Sequence, residues 1–182
     1  MMSPAATVVV DLAGRRRALC LDCGMLDELQ RRRDAGVQAV ARRLWSRSWR
    51  VDDVLDVLRL GLVGAGLGPV EAEDVAATAM VRLRAEAVPA AMLAMGAAFN
   101  GLPEMGGEKG RSVERPIDFA KFRRKLMEFG VSPAALDRMS LGGLLSTFAA
   151  MGKTGADAPT DAEFDEIMDA LRALNDPTIR LH

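Results

Sequence analysis

Tyrosine is absent from this chain, histidine occurs once as the last residue, His182, and cysteine occurs twice. General acid–base chemistry draws most often on a histidine or on a carboxylate pair in an apolar pocket. The acids here fall instead where a helix face should be wet: Asp161, Glu163, Asp165, Glu166 and Asp169 stand opposite a stripe led by Phe164. No nucleophile–base pairing suggests itself, so an enzyme is not expected. No apolar run is long enough to cross a bilayer. The opening MMSPAATVVV has no basic region followed by a long apolar stretch, so no signal peptide is expected. Two cysteines without export features suit a reducing cytosol. The Ala, Arg and Gly bias reads as bacterial or phage.

What is present is apolar periodicity. Val51, Val54, Leu55 and Leu58 form one stripe; Val88, Met92, Met95 and Phe99 a second; Leu141, Leu144, Leu145, Phe148 and Met151 a third; Phe164, Ile167, Met168, Leu171 and Leu174 a fourth. Each places apolar side chains on one helix face. Formal charge nearly cancels, with 24 Lys and Arg against 25 Asp and Glu, so nucleic acid is not expected as the main partner. The balance hides an asymmetry: the first 50 residues hold ten arginines against five acids.

Local signals set the elements. Thr7–Leu12 is β-branched and alternates, Ala13-Gly14 is a turn signal, and the residues from Arg15 to Leu21 alternate again, which predicts a hairpin. Cys20 is expected to face the hairpin core, with Arg15 and Arg17 turned outward. Asp22 is placed to cap a helix bearing Met25, Leu26 and Leu29 that Gly36 ends. Val37, Val40, Ala41, Leu44 and Trp45 stripe the next helix. A third starts at Ser48 or at Asp52-Asp53 and is stopped by the run Gly61, Gly64, Gly66, Gly68. Pro69 sits in a first turn beside Glu71, Glu73 and Asp74. Helix continues over about 76–99, with a kink or division at Pro89.

Residues 100–116 carry glycine, proline and charge without periodicity and are read as a linker between a module at 1–99 and a second helical module at 117–182. In the second, Phe119, Phe122, Leu126 and Phe129 stripe a helix stopped by Gly130. Ser132-Pro133 starts a short turn, Ser140 caps a helix to Met151, and Thr160 with Glu163 forms a capping box. All six phenylalanines lie at or after Phe99 and both tryptophans before it, so two separately composed cores are expected. The fold class is mainly α: an N-terminal hairpin with a small helical domain, then a three- to four-helix module.

Motifs with chemical promise fare poorly. Cys20-x-x-Cys23 has redox or metal spacing, but no βαβ context follows and zinc would lack ligands, so no metal is expected. Gly152-Lys153-Thr154 ends like a phosphate loop, yet Thr147 stands where its first glycine belongs; no cofactor is expected. The Arg31–Arg33 triplet has Asp27, Glu28 and Asp34 within salt-bridge range and no interleaved aromatic residue. Eleven methionines, eight of them at or after Met80, suggest a flexible Met- and Phe-lined groove for apolar helices. The partner-binding candidates are Met92, Met95, Phe99, Met127, Met139, Phe148 and Met151.

The ordered set TVVVDLAGRRRALCL, GMLDELQRR, VDDVLDVLRLGLVGAG, PVEAEDVA and AAFNG, over residues 5–101, resembles the gene-transfer-agent type of phage tail assembly chaperone. Gln30 departs from it, because the family often has an acid there, as does the shorter apolar segment near Pro89. Residues 117–152 are similar to a second small tail-assembly-chaperone type, without its tryptophan, proline and acid. The resemblance implies a chaperone that binds and solubilises the tape-measure protein and helps recruit tail tube protein. It would be cytoplasmic in a bacterial host, absent from the mature particle, free of membrane and open to forming a homo-oligomer. Two other readings stand beside it: a small helical DNA-binding regulator using Arg31–Arg33, and a structural tail component retained in the particle.

Overall fold

Ala13 and Gly14 both take positive φ, 52° and 74°, and close a two-residue loop between β1 (Thr7–Leu12) and β2 (Arg15–Cys20). Such mirror-type turns match the strand twist and demand left-handed backbone at both positions. The antiparallel register pairs Leu12 with Arg15 and Val8 with Leu19. That register puts Val10, Leu12 and Leu19 on the buried face. Arg17 therefore shares the inward face with Val10, its cross-strand partner, and reaches Glu71 at 3.9 Å. This reverses the outward placement expected of Arg17. Its long stem covers apolar surface while its charge finds an acid.

The computed structural model describes residues 7–99, 116–144 and 147. It is mainly helical after the hairpin. Asp22 caps α1 (Cys23–Arg33), its carboxylate accepting from the Met25 N–H at 2.9 Å. The helix ends at Asp34, which takes the left-handed conformation at φ 46°, while Gly36 begins α2 (Val37–Trp45) instead of ending α1. In α3 (Val51–Gly64) Asp53 accepts from the Arg50 N–H at 3.1 Å, satisfying a first-turn donor. Beyond α3, Gly66 at φ 99° and Leu67 turn back, their N–H groups donating to Val63 and Leu62 carbonyls. Gly64 is the last residue of α3, and Gly61 lies inside the helix; both lie against β2.

α4 (Pro69–Arg82) has its proline in the first turn, and α5 (Arg84–Phe99) follows after a break at Leu83. The division therefore falls six residues before Pro89, which α5 accommodates in its early turns. α3 packs mainly under β2 and α5 under β1.

The described part of the phenylalanine-rich half shares this core. α6 (Phe119–Glu128), capped by Asp118, and α7 (Pro133–Asp137), capped by Ser132, dock on α1. Phe119, Phe122, Leu126, Leu136 and Met139 join Leu26 and Leu29 in one buried cluster. The Gln30 amide clamps the backbone of Ile117: its nitrogen donates to the Ile117 carbonyl at 2.9 Å and its oxygen accepts from the Ile117 N–H at 2.8 Å. Arg123 bridges Asp27 at 2.7 Å and Asp137 at 2.8 Å. Phe129 leaves the stripe, because α6 ends at Glu128 and Gly130 turns at φ 83°. Ser140 accepts from the Gly143 N–H at 2.9 Å and starts the next helical turn. The rest of the linker and that third stripe beyond Leu144, with the capping box and the Phe164 stripe, lie outside the described residues.

Candidate interaction surface

The arginine triplet is committed within the fold. Arg31 pairs with Asp27 at 3.5 Å and Glu28 at 3.3 Å. Arg32 and Arg33 instead cross to α3, reaching Asp56 at 2.7 and 2.9 Å. Beside them Arg43 grips the fully buried Asp53 with two hydrogen bonds of 2.7 Å. Burial alone would raise the Asp53 carboxyl. The bonds from Arg43 and the Arg50 N–H, with the Arg43 and Arg33 charges, outweigh it and hold the group below its ordinary 3.8. A phosphate would have to compete with carboxylates already in place.

The cysteines are buried and unbonded to each other. Burial, helped by the charge of Asp22, pushes the Cys23 thiol up to about 12, far from the thiolate that nucleophiles and metal ligands need. Among the described residues no group of three or more His, Cys, Asp or Glu side chains could hold a metal, and no helix is long and apolar enough to cross a membrane.

The candidate partner residues do not line one groove. Met95 and Met139 fill the core, and the Met139 carbonyl accepts from the Cys23 N–H at 3.0 Å. Met92 and Phe99 are half-buried on α5, with the Phe99 ring 6.0 Å from that of Trp45. Met127 is 49% exposed at the end of α6, beside Phe129 at 46%. Phe148 and Met151 lie outside the described residues.

Selecting candidates by residue type missed the most unusual surface. From Ala87 to Phe99 α5 carries no charged or polar side chain at all. Ala87, Ala90, Ala91, Ala94, Met95, Ala97 and Ala98 point inward and are buried. Pro89 is exposed, Leu93 is 54% exposed, and Met92 and Gly96 are half-buried. At about 100° per residue these four share one outward arc. A helix apolar on every side is ordinarily covered on every side. The signal was readable as an absence of charge. Val70 and Val81 on α4, Val51 on α3 and Val9 on β1 are also exposed, but the two valines of α4 stand eleven residues apart on a helix that carries Glu71, Glu73 and Asp74 between them.

A family model described as "Phage tail tube protein, GTA-gp10" matches residues 5–101. No curated protein and no solved structure matches the chain.

Proposed function

We propose, from the premise that this chain belongs to the phage tail tube protein, GTA-gp10, family and is thereby related to phage and gene-transfer-agent tails, that it serves tail assembly as an escort of the tape-measure protein. The supporting observation is the charge-free stretch of α5 from Ala87 to Phe99, with its outward Leu93. It offers apolar contact on a molecule where Arg32, Arg33 and Arg43 of the neighbouring helices are already paired with acids of α3. Such a face suits repeated weak binding along a long apolar helix, with affinity multiplied by repetition and each contact easily displaced. The role is binding without catalysis, in the host cytoplasm, with tail tube protein arriving as the escort leaves.

A second reading, a tail component retained in the particle, is favoured by the family's description as a phage tail tube protein. Against it stands the modest and scattered apolar exposure among the described residues, because obligate interfaces are large and hydrophobic. Two measurements separate the readings. Co-expression is expected to keep the tape-measure protein of the same locus soluble, and mass spectrometry of purified particles is expected to find this chain missing. Stoichiometric presence in particles, with tape-measure solubility unchanged, would sink the escort.

A further inference from the structure

Gly96 occupies the interior of α5 among alanines, where glycine weakens a helix relative to alanine. The chain's own packing does not require it: a Cβ built at Gly96 meets nothing within 4 Å. Gly64 on α3 is the contrast, since a Cβ there would collide with the Cys20 carbonyl oxygen. One glycine admits a neighbour inside the fold. The other leaves a hollow on the surface, bordered by the protruding Leu93 three residues before it and by Met92 and Pro89.

We infer that this arc of α5 is a seat for an uncharged stretch of partner α-helix, which lays its backbone close over Gly96 and packs its side chains around Leu93. The inference rests on the escort reading and names where and how the client is held. Three features select the occupant. No charge lies on the arc, so a charged segment would lose its hydration there without a countercharge. The hollow beside a projecting Leu is the shape that a helix ridge fills. The arc from Pro89 to Gly96 spans only about 10 Å of helix axis. That is too little for the roughly 800 Å² per partner of a stable interface, so a second copy of this chain held by this face alone is not favoured. A long helical partner that repeats the contact is.

The test co-expresses the full chain with the tape-measure protein of its locus and measures how much of that protein co-purifies in soluble form. Leu93→Lys puts a charge at the centre of the seat, Gly96→Ala places a methyl group in the hollow, and Val81→Lys, at an exposed valine of α4, is the control. Circular dichroism melting checks that each variant folds. Expected is a loss of about tenfold or more with Leu93→Lys, equivalent to about 1.4 kcal/mol, a smaller loss with Gly96→Ala, and none with Val81→Lys. If the unaltered chain retains no tape-measure protein, the escort reading itself falls. If the unaltered chain, Leu93→Lys and Gly96→Ala all retain the tape-measure protein equally well, the seat is overturned while the escort stands. Light scattering that shows a wild-type dimer abolished by Leu93→Lys would overturn it too, by giving the face to a second copy.

Discussion

α3 and α5 lie beneath the same hairpin, one under each strand, and they meet solvent in opposite ways. α3 is amphipathic and, past its exposed first residue Val51, closed. Val54, Val57, Leu58 and Leu62 are buried, while Asp53 is held by Arg43, Asp56 by Arg32 and Arg33, and Arg59 by Glu73 at 2.6 Å. α5 has no charge after Glu86 and keeps Leu93 in water. Burial on one side does not explain α5, because a helix with only one buried face gains solubility from polar residues on the other. The contrast separates a helix fitted to its own molecule from one fitted also to another.

The comparison breaks most visibly at Gly64. Gly64→Ala would drive a methyl group into the Cys20 carbonyl, forcing α3 away from the edge of β2, with an expected loss of about 4 kcal/mol in urea unfolding. A loss below about 1 kcal/mol would mean that α3 does not approach the hairpin this closely. Next is Asp53. Asp53→Asn leaves Arg43 without its counterion and should cost about 3 kcal/mol at pH 7. The native carboxyl titrates below its unfolded value of 3.8, so its contribution is complete above that pH and fades as pH falls through the lower native value. Unfolding midpoints taken from pH 7 down to pH 2.5 should therefore show wild type and Asp53→Asn converging in acid.

How much of this was legible depends on the range of each interaction. The Ala13-Gly14 turn, the Asp22 and Ser140 caps and the proline start of α4 are settled within a few residues, and the sequence patterns locate them. Arg31 likewise pairs three and four residues back along its helix. Arg32 and Arg33 do not: their partner Asp56 is 24 and 23 residues away, a distance no local spacing rule spans. The same limit hid the role of Gln30. The family often has an acid there, and an ionised acid could accept from the Ile117 backbone, 87 residues on, but could not also donate to it as the amide does. On α5 the stripe Val88, Met92, Met95, Phe99 mixed a core residue, Met95, with the half-buried flank of the outward arc. A methionine at one angle and a leucine about 100° away differ more in environment than in type.

The smallest expected effects are the sharpest test of α5, because they set stability against binding at the same residue. Gly96→Ala should stabilise the isolated protein by about 0.5–1 kcal/mol, since alanine is the better helix former and its methyl group enters open space. Leu93→Lys should change stability by less than about 0.5 kcal/mol, because an exposed lysine replaces an exposed leucine without opening a cavity. Thermal melts of both variants check this directly. A helix fitted only to its own fold would show Gly96→Ala as a plain improvement. One fitted also to a client would gain stability from the alanine while losing its grip on that client. A clear destabilisation by either substitution would instead put the arc in contact with the rest of the chain, and α5 would then be closed in the way α3 is.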